Sequence, residues 1–191
     1  MPVPPPRLVL ADRVIPRRWA TDVLLVAGGV ALTAGLAQVS IPLWPVPITG
    51  QTLAVLLVGA SLGTVRGAVS MIVYALIGVL GVPVFSDAAS GAGVLLGPTG
   101  GYIIGFIASA ALVGWLSERA WDRRLLKAAA TFLAGTVVTF AFGLPWLAVA
   151  LRIDLPTTLQ FGLYPFLLGG LIKAAVAAAL LPAAWKLTAR R

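Results

Sequence analysis

Apolar runs separated by Gly, Pro and basic residues divide the chain into six stretches: residues 20–40, 52–62, 67–80, 102–116, 125–144 and 166–187. Each predicts a helix. A helix that crosses a bilayer needs about 17–25 predominantly apolar residues, so the second and third stretches cross only by borrowing flanking residues, 49–51 for one and 82–85 for the other. The expected fold class is all-α, a polytopic integral membrane protein of six transmembrane helices. Its expected organisation is an N-terminal cytoplasmic segment over 1–19, a single membrane domain over 20–187 and a cytoplasmic tail over 188–191. The first stretch is read as a retained helix and not as a cleaved signal peptide, because its loss would leave an odd number of spans.

The basic residues support this division. Short loops and termini on the cytoplasmic side of a membrane are enriched in Lys and Arg. Six spans place Arg7, Arg13, Arg17, Arg18, Arg66, Arg119, Arg123, Arg124, Lys127, Lys186, Arg190 and Arg191 on one side, leaving only Arg152 and Lys173 of the 14 basic residues elsewhere. Both termini are therefore expected in the cytoplasm, with the chain in the inner membrane and the segments 41–51, 82–101 and 152–165 facing outward. Composition agrees with a lipid solvent: 60% of residues are hydrophobic, 10% charged, and the mean hydropathy is +1.01. The net charge of +8 is not a nucleic-acid footprint, since the basic residues sit between apolar runs instead of forming a stripe on a polar face.

Two outer segments, Ile41-Pro-Leu-Trp-Pro-Val-Pro-Ile48 and Val82-Pro-Val-Phe85, are apolar, rich in Pro and nearly uncharged. Irregular backbone at membrane depth is tolerated where it is buried in protein or lines a cavity. These loops are expected to fold down as a lid over a pocket, the alternative being ordinary tight connections. Lys173 lies seven residues into the last stretch, about 10 Å below its start at 1.5 Å per residue. An ammonium at that depth requires a partner, water or a path to the headgroups. With no acid nearby in its own helix, it reads as a site for an anionic ligand, most simply a carboxylate, the alternative being snorkelling. Asp87, in the turn Phe85-Ser-Asp-Ala-Ala-Ser-Gly-Ala-Gly93, is either a closing group over a polar ligand or part of a solvated loop. Asp154 reads as a surface pair with Arg152. Ala27, Ala31 and Gly35 put small residues on one helix face, which serves close packing either within the chain or against another membrane subunit.

The chain has no Cys and no His. Thiol nucleophiles, thiolate metal sites, imidazole bases and Ser-His catalysis are thereby excluded, and no catalytic residue, metal or cofactor is expected. An intramembrane enzyme would need His, Cys or paired intramembrane Asp. The Gly-rich turns at 91–93 and 97–101 lack the Gly-x-x-x-x-Gly-Lys-Ser/Thr of a phosphate-binding loop, so the chain does not itself hydrolyse ATP at a recognisable P-loop.

Four blocks taken together resemble the BioY family, the biotin-binding S components of energy-coupling factor transporters. They are Pro45-Val-Pro-Ile-Thr-Gly-Gln-Thr-Leu-Ala-Val-Leu-Leu57, Gly81-Val-Pro-Val-Phe85, Leu96-Gly-Pro-Thr-Gly-Gly-Tyr-Ile-Ile-Gly-Phe106 and Gly162-Leu-Tyr-Pro-Phe-Leu-Leu-Gly-Gly-Leu-Ile-Lys-Ala174. The resemblance implies a six-helix S-component fold that captures biotin from outside and docks on a membrane-embedded coupling subunit carrying two ATPase subunits. It implies substrate contacts at Lys173, Asp87, Ser86, Gln51, Thr49, Tyr164 and Tyr102, and docking through Ala27, Ala31 and Gly35. A binding subunit for a different small vitamin is the alternative. The chain departs from the family pattern Pro-Gly-Asp-x-x-Lys, having Gly170 where an acid would share a helix face with Lys173.

Overall fold

Each apolar stretch folds as a helix, the one regular structure in which a single segment satisfies its own backbone in lipid. The computed structural model describes residues 9–188. It contains helices α1 (Leu10–Val14), α2 (Trp19–Ala37), α3 (Gln51–Leu62), α4 (Thr64–Val79), α5 (Ala92–Leu96), α6 (Gly100–Ser117), α7 (Leu125–Leu151), α8 (Leu155–Gly162) and α9 (Tyr164–Thr188), with one hairpin of β1 (Ser40–Ile41) and β2 (Ile48–Thr49). Arg7, Arg190 and Arg191 lie outside the described residues, as do parts of the terminal segments 1–19 and 188–191.

Four helices, α2, α6, α7 and α9, are long and apolar enough to cross a membrane, while α3 and α4 are shorter apolar helices of 12 and 16 residues. The six-span expectation therefore meets four helices of full length. The short helices α1, α5 and α8 add to the six expected. Residues 82–85 do not extend α4, contrary to the sequence reading. The left-handed Gly81 (φ 101°) and Pro83 stop it, and α4 gains its length at the other end by starting at Thr64, one residue after α3. Pro145 does not end α7, which continues to Leu151. A membrane helix tolerates the lost N–H because neighbouring groups take up the freed carbonyl. Asp154 is not a surface partner of Arg152 but the N-cap of α8. Its carboxylate accepts from the Thr157 N–H at 3.1 Å, which holds its pKa below the usual carboxylate range.

Helix α6 is the hub. Two-thirds (67%) of its apolar stretch is buried in protein, against 22% for α2 and α9, and it packs on α3, α4 and α7. The crossing with α3 is close because Gly59 has no side chain: a Cβ there would stand 2.7 Å from the Ala110 carbonyl oxygen. Large apolar side chains such as Leu24, Leu126, Val137 and Leu168 remain exposed on the outer helices.

The two ends of the bundle differ in chemistry. At the end that gathers α1, the α3–α4 junction and the close of α9, Arg66 is 8% exposed and donates from Nη2 to Asp12 Oδ1 at 2.7 Å, from Nη1 to Asp22 Oδ1 at 3.0 Å and from Nε to the Leu62 carbonyl at 2.8 Å. Glu118 accepts from the Thr64 N–H at 2.8 Å and caps α4. Trp185 Nε1 donates to the buried Asp122 Oδ2 at 2.6 Å. Burial pushes the Asp122 carboxyl above its ordinary value, with the Trp185 hydrogen bond opposing the shift. This end is a set of polar clamps joining loops that sequence alone had only grouped by charge.

Removing one member of a buried ion pair leaves the other uncompensated, a loss of about 3–5 kcal/mol. Arg66→Ala should therefore lower the thermal unfolding midpoint of the purified protein by several degrees, and adding Asp12→Ala should recover part of the loss. An unchanged midpoint in Arg66→Ala would mean that the clamp holds nothing together.

Candidate functional site

The end opposite the clamps holds the hairpin, the 80–99 connection, α8 and the start of α9. There the helices diverge around a cavity with about 550 Å³ of space free of protein atoms, its open mouth included. The hairpin contributes Val46, Pro47 and Thr49; α3 contributes Gln51 and Thr52. Phe85 and Ser86 come from the 80–99 connection, Tyr102, Ile103 and Phe106 from α6, Thr139 and Phe140 from α7, and Phe166 and Lys173 from α9.

Most of this wall is aromatic or aliphatic. The Tyr102 ring stacks on Phe166 at a centroid distance of 6.4 Å and meets Phe140 edge-on at 6.1 Å, while Phe140 and Phe166 meet at 6.1 Å. Tyr102 is fixed by its hydroxyl, which donates to the Gly162 carbonyl at 2.9 Å and so ties α6 to the α8–α9 junction. Phe85, 1% exposed, fits edge-on against Tyr74 at 5.5 Å and fills a socket over Gly78, where any Cβ would run into the ring. Of the two Pro-rich segments, Val46, Val84 and Phe85 are buried against the helices, whereas Ile41, Pro42, Leu43, Trp44, Val82 and Pro83 remain exposed.

Lys173 is the single cation of the wall. Its ammonium donates to the Thr49 carbonyl oxygen and to Thr52 Oγ1, the latter at 3.1 Å. Both acceptors are uncharged. Gly170, one turn earlier on the same helix, leaves room for a side chain, since a Cβ there would meet only Thr136 Cγ2 at 3.7 Å. The positive charge is therefore positioned by neutral oxygens and neutralised by none of them. An ammonium so held attracts an anion far more strongly than it would in water, because the surrounding wall is apolar.

The acceptors are themselves held. Thr49 Oγ1 donates to Gln51 Oε1 at 2.8 Å, Gln51 Nε2 donates to the Tyr74 hydroxyl at 2.6 Å, and Tyr74 donates to the Val84 carbonyl at 2.9 Å. Thr49, Gln51 and Tyr74 are all buried. A fully satisfied buried chain of this kind is rigid, and it links the hairpin, α3, α4 and the loop over the cavity.

Of the residues singled out from sequence, Lys173, Ser86, Gln51, Thr49 and Tyr102 meet around the cavity. Asp87 does not face Lys173: its side chain is exposed and accepts from Ser40 Oγ at 2.6 Å. Tyr164 is 58% exposed at the start of α9, away from the cavity lining. Ala27, Ala31 and Gly35 lie on the exposed face of α2, whereas Gly29, Val30, Thr33 and Ala37 make its buried face. Thr52, Thr139 and the rings of Phe85, Phe106, Phe140 and Phe166 were not singled out. A hydroxyl inside an apolar stretch is a signal for Thr52 and Thr139; the phenylalanines carry none that distinguishes them from lipid-facing residues.

Comparison with known proteins agrees with this geometry. The chain is similar to the probable biotin transporter BioY of Pyrococcus horikoshii, with 39% identity over 158 residues, covering 83% of this chain and 92% of that one. It is similar to the biotin transporter BioY of Thermotoga maritima, with 39% identity over 146 residues, covering 74% and 82%. A crystal structure of the S-component for biotin from an ECF-type ABC transporter superposes with a TM-score of 0.76 at 25% identity, covering 89% of this chain and 95% of the other. The BioY family profile matches residues 10–190, essentially the whole described fold, and the chain belongs to the BioY family.

Proposed function

We propose that this chain is the substrate-capture subunit of an energy-coupling factor transporter and that its ligand is biotin. The observation that carries the reading is the Lys173 side chain, held by the neutral Thr49 carbonyl and Thr52 hydroxyl, inside a cavity whose wall is mostly apolar and aromatic. Biotin suits that division: a carboxylate at one end of an aliphatic chain, and a bicyclic thioether head whose ureido group takes hydrogen bonds. Lys173 takes the carboxylate, with Thr52 Oγ1 beside it, and Tyr102, Phe106, Phe140 and Phe166 enclose the body. Ser86 offers a hydrogen-bonding group at the wall, Thr49 and Gln51 hold the acceptors of Lys173 in place, and Asp87 and Tyr164 act at the rim. The names of the similar proteins support the same ligand.

The reading extends to topology and assembly. All six apolar helices cross the bilayer of the inner membrane, α3 and α4 with the help of their connections, and both termini face the cytoplasm. Support comes from the clustering of Arg13, Arg17, Arg18, Arg119, Arg123, Arg124, Lys127 and Lys186 at the clamped end. The membrane-embedded coupling subunit docks on Ala27, Ala31 and Gly35, with two ATPase subunits beneath it. Gly28 and Gly35 have open space where a side chain would be, so a partner helix can approach the α2 backbone closely. The chain performs no catalysis of its own.

A charge-assisted hydrogen bond contributes about 1.5–3 kcal/mol, so Lys173→Met should weaken biotin binding by about 10- to 150-fold. Equilibrium binding of labelled biotin to the purified variant measures this, and full affinity would refute the pairing. Replacing both Ala27 and Ala31 with Trp should abolish ATP-driven uptake while leaving biotin affinity of the isolated subunit within about twofold. A parallel fall in binding would make these residues part of the fold and not of a docking face.

A further inference from the structure

The loop over the cavity is fastened on two sides, and the two sides belong to different parts of the protein. On one side it is anchored to α4, through the Tyr74 hydroxyl on the Val84 carbonyl and the Phe85 ring in its socket over Gly78. On the other it is held by the end of α2. Gln38, the residue that closes α2, donates from Nε2 to the Phe85 carbonyl at 3.0 Å and accepts at Oε1 from the Ala88 N–H at 3.0 Å. Ser40 adds the bond to Asp87 at 2.6 Å. One amide side chain therefore grips both ends of the turn that puts Phe85 and Ser86 over the cavity.

That turn needs holding. Asp87 and Ala88 are both left-handed, with φ of 56° and 55°, a conformation that Ala in particular adopts only under constraint. The helix that supplies the grip is also weakly embedded in the rest of the chain, with 22% of its apolar stretch buried, and Ala27, Ala31 and Gly35 stand on its exposed face. Gly35 is three residues before Gln38, about 4.5 Å along the helix axis. A helix moves as a unit over that distance, so a force on the small-residue face is felt at the Gln38 amide.

We infer that Gln38 is a positioning residue that fastens the cavity loop to the docking helix, so that displacement of α2 on docking releases the loop and lets the ligand go. This rests on the reading of α2 as the docking helix and of biotin as ligand. The α4 anchors stay with the body of the protein, and the strained turn at Asp87 and Ala88 supplies a tendency to open once the α2 grip is lost. Bound ligand is retained while α2 is in place and freed when a partner moves it.

Gln38→Met keeps the length of the side chain and removes both bonds to the loop, together with the Nε2 bond to the Ala34 carbonyl at 3.1 Å. In the full chain reconstituted in lipid nanodiscs, labelled biotin should dissociate about tenfold faster from this variant, with association changed less than about twofold. The thermal midpoint should be unchanged, and hydrogen exchange at the Ala88 amide should accelerate even without ligand. Gln38→Glu, which keeps the acceptor for Ala88 and loses the donor to Phe85, should fall between the two. In the assembled transporter, docking should speed dissociation from the original protein and have little further effect on Gln38→Met. Unchanged dissociation together with unchanged exchange at Ala88 would overturn the inference. Absence of biotin binding by the original protein would instead remove the ligand assignment, and exchange at Ala88 would then decide the grip by itself.

Discussion

The fold is arranged around one costly placement: an ammonium inside an apolar wall. Lys173 is brought there by the long last helix, and it is held by the carbonyl of Thr49 and the hydroxyl of Thr52, from the hairpin and from α3. Those acceptors are held in place because the chain Thr49–Gln51–Tyr74–Val84 fixes the hairpin to α4. Neutral oxygens orient the charge and lower the cost of burying it without cancelling it. The absence of a side chain at Gly170 keeps the helix from cancelling it either.

Polar chemistry is divided between the two ends of the bundle for opposite purposes. At the clamped end the buried Arg66 is matched by Asp12 and Asp22, and the buried Asp122 accepts from Trp185, so the buried charges there tie loops together. In the cavity wall the one charged residue, Lys173, meets only neutral acceptors. The central helix α6 touches both ends, running from Tyr102 in the cavity wall to Ser117 beside the capping Glu118, and its burial in protein gives the outer helices a fixed surface to pack on.

The helices, the grouping of basic residues and the placement of Lys173 within an apolar helix were legible in the sequence, because a bilayer restricts which patterns can fold at all. The boundaries were less so. Pro145 reads as a stop, yet α7 passes through it to Leu151. Residues 82–85 read as helix extension, yet Gly81 and Pro83 turn them into the cavity loop. The aromatic wall was illegible, because nothing in the local pattern separates Phe140 and Phe166 from phenylalanines that face lipid; only the approach of α6, α7 and α9 selects them. Asp87 was placed near the site by its turn, but the turn's left-handed backbone directs its carboxylate to Ser40.

The central claim is that the unmatched charge on Lys173 exists to be neutralised by the ligand's carboxylate. Titration calorimetry of the purified protein with biotin and with biotin methyl ester tests it directly, since the two ligands differ in the charged end alone. The ester should bind at least about tenfold more weakly, the loss of one charge-assisted hydrogen bond. Equal affinity for acid and ester would contradict the claim.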